Sequence, residues 1–122
     1  MKLFIDDTRQ PSDCGFNNSE WNLVTNYDSA MEFIEKHKPQ RIAFDHDLSV
    51  EHYSGDFSKE KTGMDIAKKI IEMDMDGHET ITKDFTFSVH SMNPDGKRNI
   101  RNILRRYFYN KHGIENLKDL SK

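Results

Sequence analysis

Apolar residues along this chain fall into short clusters separated by polar or periodic stretches. Leu3-Phe4-Ile5 is an all-apolar run that stops on Asp6-Asp7, the pattern of a central parallel strand buried on both faces. Residues 8–20 carry Pro11, Ser12, Gly15, Asn17, Asn18 and Ser19 and read as loop. Trp21-Asn22-Leu23-Val24-Thr25 alternates in part and predicts a second strand nearer an edge. Asp28 and Ser29 open a helix, with Ser29 and Glu32 spaced as a capping box. Its inner face is Ala30, Met31, Phe33, Ile34 and His37, and Pro39 stops it. Arg41-Ile42-Ala43-Phe44 is a third strand that runs into Asp45-His46-Asp47.

Residues 49–61 are polar, with Gly55 and several acids, and form a connection longer than a compact domain usually needs. A second helix starts at Thr62-Gly63-Met64-Asp65, shows the stripe Ile66, Ala67, Ile70, Ile71, and closes at Gly77. Phe85 to His90 alternates cleanly, with Phe85, Phe87 and Val89 on one face and Thr86, Ser88 and His90 on the other. Asn93 is a good N-cap and Pro94 a good first residue for a third helix reaching about Tyr109. Ile100, Ile103, Leu104, Tyr107 and Phe108 make its stripe, and residues 113–122 are a short tail. Strands alternating with helices imply a parallel α/β sheet in one domain spanning residues 1–122.

Composition narrows this further. At 34% apolar and 32% charged the chain is polar but not disordered in character. The single cysteine, Cys14, forms no internal disulfide, and no Cys/His array suggests structural zinc. The N-terminal apolar run is too short for a signal peptide or a spanning helix, so the expected setting is cytoplasmic, without a membrane. The net charge of −3 hides an asymmetry. Lys97 to Lys111 holds six basic residues and no acid, against 12 basic and 21 acidic elsewhere. A basic helix face can follow a nucleic-acid backbone, but such a run is more often a solvated face.

Three groups of polar residues sit just past predicted strands: Asp6-Asp7, Asp45-His46-Asp47 and His90-Ser91. Open parallel sheets bind ligands at that end. The two acids after strand one, the Asp after strand three and the hydroxyl after strand four resemble the receiver fold. In that fold the first acids hold Mg²⁺ and the later Asp accepts a phosphoryl group, which points to Asp6, Asp7 and Asp45. The chain departs from receivers in having His46-Asp47 after Asp45, a His90-Ser91 pair, and no predicted fifth strand with its lysine. Phe4-Ile5-Asp6-Asp7-x-Arg9, Asp45-His46-Asp47-Leu48, Thr62-Gly63-Met64-Asp65 and His90-Ser91-x-Asn93-Pro94-x-Gly96 together resemble the cyclic-phosphate processing receiver-like family.

The resemblance implies a receiver-like (flavodoxin-like) three-layer sandwich with strand order 2-1-3-4, a missing fifth strand, and residues 49–61 over the site. Strand four is then an edge that the third helix, the tail or a second subunit must cover, so a homodimer is one option. The implied activity is on cyclic phosphate ends of RNA or on cyclic nucleotides. Hydrolysis there needs a base and an acid, roles that His46 and His90 can share beside Asp45. Asp6, Asp7, Asp45 and Asp47 would repel one another unless a cation, Mg²⁺ or Mn²⁺, joined them. The alternative is that only Asp6 and Asp45 face inward. Arg9, Ser91, Asn93 and Lys97 are the candidate phosphate ligands, with Arg9 alternatively pairing with Asp6 or Asp7. The competing function is a non-enzymatic module for a phosphorylated ligand or partner protein; a phospho-accepting receiver is a third.

Overall fold

The computed structural model describes residues 1–45, 62–78, 85–91, 93–112 and 118–119. Its strands are β1 (Lys2–Ile5), β2 (Trp21–Val24), β3 (Arg41–Phe44), β4 (Thr86–Val89) and β5 (Lys118–Asp119). Its helices are α1 (Tyr27–His37), α2 (Gly63–Met75) and α3 (Pro94–His112). The strands form one parallel sheet in the order β2-β1-β3-β4-β5. The expected order 2-1-3-4 is therefore present. The sequence reading ended the sheet at strand four, whereas the tail adds β5, two residues paired with Thr86 and Phe87. Only two residues pair, which is why periodicity did not reveal the strand.

Helix ends follow local chemistry. Asn26, not Ser29, caps α1, since its side chain accepts from Ser29 N at 2.8 Å. At the other end Lys38 takes the left-handed conformation, φ 46°, and its N–H donates to Ile34 O. Pro39 disfavours helical backbone in the residue before it. In α2, Thr62 and Asp65 form a reciprocal capping box. Tyr107 of α3 donates to the buried Asp74 of α2 at 2.6 Å.

Crossover handedness decides which face each connection covers. The steps β2 to β3, β3 to β4 and β4 to β5 all run the same way across the sheet. Right-handed crossovers therefore put α1, α2 and α3 on one face. That face is Leu3 and Ile5, Ile42 and Phe44, Phe87 and Val89, packed on Ala30, Met31 and Ile34, Ile66, Ala67 and Ile70, and Ile100, Leu104 and Phe108. Only β1 to β2 runs the other way. Its connection covers the opposite face, and it is not a helix of α type but two 3₁₀ turns, Pro11–Cys14 and Asn18–Glu20. There Phe4, Trp21 and Ala43 pack with Cys14 and Phe16.

Among the described residues no helix is long and apolar enough to cross a membrane. The predicted loop at 49–61 lies outside the described residues.

Candidate functional site

The order in which the strands are wound reverses between β1 and β3, and ligands in open α/β sheets bind outside the carboxyl ends of the strands at such a switch point. The residues just past the strands are held there by the sheet's own ladder. Asp6 N donates to Val24 O at 3.1 Å, Asp45 N to Ile5 O at 3.0 Å, and His90 N to Phe44 O at 2.9 Å. Backbone register thus fixes the three candidate residues. By alternation all three lie on the face opposite the three helices.

Asp6 is the hub of the site. It is fully buried. Its Oδ1 accepts from Thr8 N and Arg9 N, each at 2.9 Å, and more weakly from Thr8 Oγ1 at 3.4 Å. Its Oδ2 accepts from Arg9 Nε at 2.9 Å and lies 2.9 Å from His90 Nε2. Burial alone would raise the Asp6 pKa. The amides of Arg9 and Thr8, the Arg9 charge and the His90 bond outweigh it and hold the carboxyl below its ordinary range. Asp6 is therefore an anion, and His90 Nε2 carries the proton in the bond between them.

Arg9 extends from that anchor to Asp45, with Nη2 3.5 Å from Asp45 Oδ1. Of the two alternative partners expected for Arg9, the structure shows Asp6; the second carboxylate it reaches is Asp45, which the sequence reading did not name, and not Asp7. Its side chain keeps 27% of its surface exposed, so part of it stays open to solvent.

His90 lies flat on Phe4, with ring centroids 4.5 Å apart and planes 5° apart. Alanine at position 43, on the strand between them, leaves room for the histidine to reach across. Burial lowers the His90 pKa; the Asp6 bond opposes this, and the Arg9 and Lys97 charges add to the lowering. Its Nδ1 is buried and, among the described residues, has no hydrogen-bond partner. One ring nitrogen thus meets Asp6 and the other is enclosed.

Ser91 is buried and its Oγ accepts from Asn93 N at 3.1 Å. Asn93 Oδ1 in turn accepts from Gly96 N at 3.0 Å, which is the expected cap of α3. Lys97, one turn into α3, is close enough to act electrostatically on His90. Arg105 and Arg106 are exposed.

Asp6, Asp7 and Asp45 place carboxylate oxygens within 4.8 Å of one another, and by that spacing the cluster could hold a metal ion. The donor census is less open. A carboxylate has about four lone-pair sites, and Asp6 already meets four donors at 2.9 Å. Among the described residues a cation would therefore have to be held chiefly by Asp7 and Asp45. His46 and Asp47, expected in the acid–base pair and the acidic cluster, lie outside the described residues.

Sequence reasoning missed Thr8 and Phe4 as parts of this site. Thr8 was legible in principle, since an Asp that accepts from the amides two and three residues on is an ordinary turn device. Phe4 gave no signal, because a buried strand phenylalanine looks the same whether or not a histidine rests on it. A groove of about 770 Å³ lined by Glu35, Lys38, Lys69, Met73 and His78 lies at the C-terminal ends of α1 and α2. That is the other end of the strands, away from these residues.

The parallel sheet, its switch point and the aspartates beyond β1 and β3 define a receiver-like domain. The family model for the cyclic-phosphate processing receiver domain matches residues 1–106, and the chain belongs to that family. No curated protein and no solved structure matches it.

Proposed function

We propose that the domain is a phosphoesterase that opens a cyclic phosphodiester at an RNA end or in a nucleotide. The observation that carries this reading is the convergence, past three neighbouring strands, of an anionic Asp6, an Arg9 that spans Asp6 and Asp45, and a buried His90. The family description supplies the substrate class.

In the reaction a water oxygen bonds to phosphorus and one ribose P–O bond breaks. One proton leaves the water and one reaches the departing oxygen. His46 and His90 are the acid–base pair in this reading, and His90 enters through Nε2, whose proton it shares with Asp6. Arg9 meets the phosphoryl charge as a planar double donor. Ser91, Asn93 and Lys97, at the start of α3, are the further phosphate ligands in this reading, since a helix N-terminus favours anions.

The test is incubation of the folded protein with RNA ending in a 2′,3′-cyclic phosphate and with cyclic mononucleotides. Expected is a linear monophosphate product, lost in His46→Ala and His90→Ala. Absence of product from every substrate, with and without Mg²⁺ or Mn²⁺, removes the hydrolase reading.

A second reading is a module that binds a phosphorylated ligand without turning it over. The engagement of His90 Nε2 by Asp6 and the enclosure of Nδ1 favour it. In that case His90→Ala keeps ligand affinity, while Arg9→Ala lowers it about tenfold or more, as expected for losing a charge-assisted bidentate contact.

A further inference from the structure

We infer that Arg9 is the resident cation of this acidic site, and that it stands where a divalent ion would otherwise join Asp6 to Asp45. The inference deepens the proposed reading and rests on it for the reaction; the balance of charge is a property of the chain itself.

Three observations carry it. First, Asp6 is closed to a metal. Its four donors at 2.9 Å use the lone pairs a carboxylate offers, and two of them are backbone amides that cannot swing away without unmaking the turn after β1. Second, Arg9 holds Asp6 twice. Its backbone N–H donates to Oδ1 and its Nε to Oδ2, so the side chain starts from an anchored position and loses little freedom in making the second bond. A long side chain tethered in this way is a fixed part of the site and not a passing surface pair. Third, the same guanidinium reaches Asp45 Oδ1 at 3.5 Å. A divalent ion on Asp7 and Asp45 would therefore share Asp45 with a fixed positive charge. It would have to be bound by two carboxylates against that charge, or push the guanidinium off both aspartates.

The acids of this cluster are within the spacing that shares a cation, so the charge they create does need an answer. In this chain the answer is covalently attached. Arg9 has one further consequence that a metal would not have. Its planar fork offers several donors at once, so it can hold the two aspartates and still present N–H groups to an incoming phosphate. It is thus a positioning residue for Asp6 and Asp45, and a ligand for the substrate in the proposed reaction.

The inference predicts that removing the arginine creates a metal site. Mn²⁺ titration followed by electron paramagnetic resonance reads this without any substrate. Wild-type protein should show no saturable Mn²⁺ site at millimolar ion. Arg9→Gln should bind Mn²⁺ about tenfold more tightly or better, the sign and rough size expected for deleting a unit charge a few ångströms from the ion. Adding Asp7→Asn to Arg9→Gln should reverse that gain. Tight, saturable Mn²⁺ binding by the wild type overturns the inference, as does an Arg9→Gln protein that binds the ion no better. If Arg9→Gln does not fold, the wild-type titration still decides, aided by Mn²⁺-induced broadening of the Asp7 and Asp45 amide signals. Broadening at equimolar ion counts against the inference and its absence supports it. A failed hydrolase assay alters none of these readouts, so the two proposals can fail separately.

Discussion

The two faces of the sheet are built on opposite principles. On the helical face every inward strand position of β1, β3 and β4 is apolar and buried under three helices. The other face has a small apolar patch of Phe4, Trp21 and Ala43 at its centre. Around the patch lie Arg41, Ser88 and His90. All three buried side-chain atoms without a hydrogen-bond partner among the described residues belong to those three: Arg41 Nε, Ser88 Oγ and His90 Nδ1. Arg41 lies over the Phe16 and Trp21 rings, 5.1 Å from each centroid. Native interiors rarely leave polar atoms unpaired, since each costs about 1–3 kcal/mol. One face therefore carries the stability of the fold, while the other spends some of it on polar groups beside the site.

The largest effects should separate the faces by kind, not by size. Phe87→Ala empties a fully buried ring on the helical face and should cost about 3–5 kcal/mol in urea unfolding. Asp6→Asn leaves Arg9 and His90 beside a neutral group and should cost a similar amount, about 3–5 kcal/mol. The difference lies in the site. Nitrogen NMR of His90 should report the Nε2–H form in Phe87→Ala as in the wild type, and a changed tautomer balance in Asp6→Asn. A cost below about 1 kcal/mol for Asp6→Asn would mean the carboxylate is not the hub its bonds suggest.

Much of the helical face was legible in the sequence because it depends on periodicity. The stripe Ile66, Ala67, Ile70 and the alternation Phe85, Phe87, Val89 predict burial directly, and both are buried. Strand order 2-1-3-4 came from the family resemblance and stands in the structure. The start of α1 was misplaced because Ser29 and Asn26 are both good caps, and only the backbone shows which one is extended: Asn26, at φ −145° and ψ 171°. The site was legible only as a set of positions. That Asp6, Asp45 and His90 follow strands could be read. That Arg9 spans two of those acids, and that His90 crosses Ala43 to reach Phe4, depends on register between strands distant in sequence. No local pattern encodes that. The roles of all these residues, Asp7, Asp47 and His46 among them, are proposals.

A smaller effect concerns acid. Burial pushes the His90 pKa down, Asp6 resists this, and the Arg9 and Lys97 charges reinforce it. The folded value thus lies below the unfolded value of about 6.5. As pH falls through about 6.5 the unfolded chain takes up a proton that the folded chain refuses, so stability declines on acidification. Asp6, also lowered, acts in the same direction but only below about pH 4. Thermal unfolding should hold steady above neutrality and fall as the pH drops below about 6.5, and His90→Gln should flatten that decline. A wild-type midpoint that rises on acidification would mean that the Asp6 bond, and not burial, governs this histidine. It would also make the second face a charged site at mild acidity.

The smallest expected effect tests the contrast between the faces most directly. Ser88 pairs with Ala43 in register and is buried at 5% exposure, with its hydroxyl unpartnered among the described residues. Ser88→Ala removes that oxygen and retains nearly the same volume. Unfolding should show no loss and a gain of up to about 1 kcal/mol. Trimming one buried atom from the helical face has the opposite sign, because there the lost atom was in contact and unburdened by desolvation. A loss above about 1 kcal/mol on Ser88→Ala would mean the hydroxyl has a partner in solution and that the second face is satisfied after all. Equal stability with weaker binding of a cyclic nucleotide would place Ser88 in contact with ligand. The polar strip from Arg41 through Ser88 to His90 would then be held open for the substrate instead of being an incompletely packed layer.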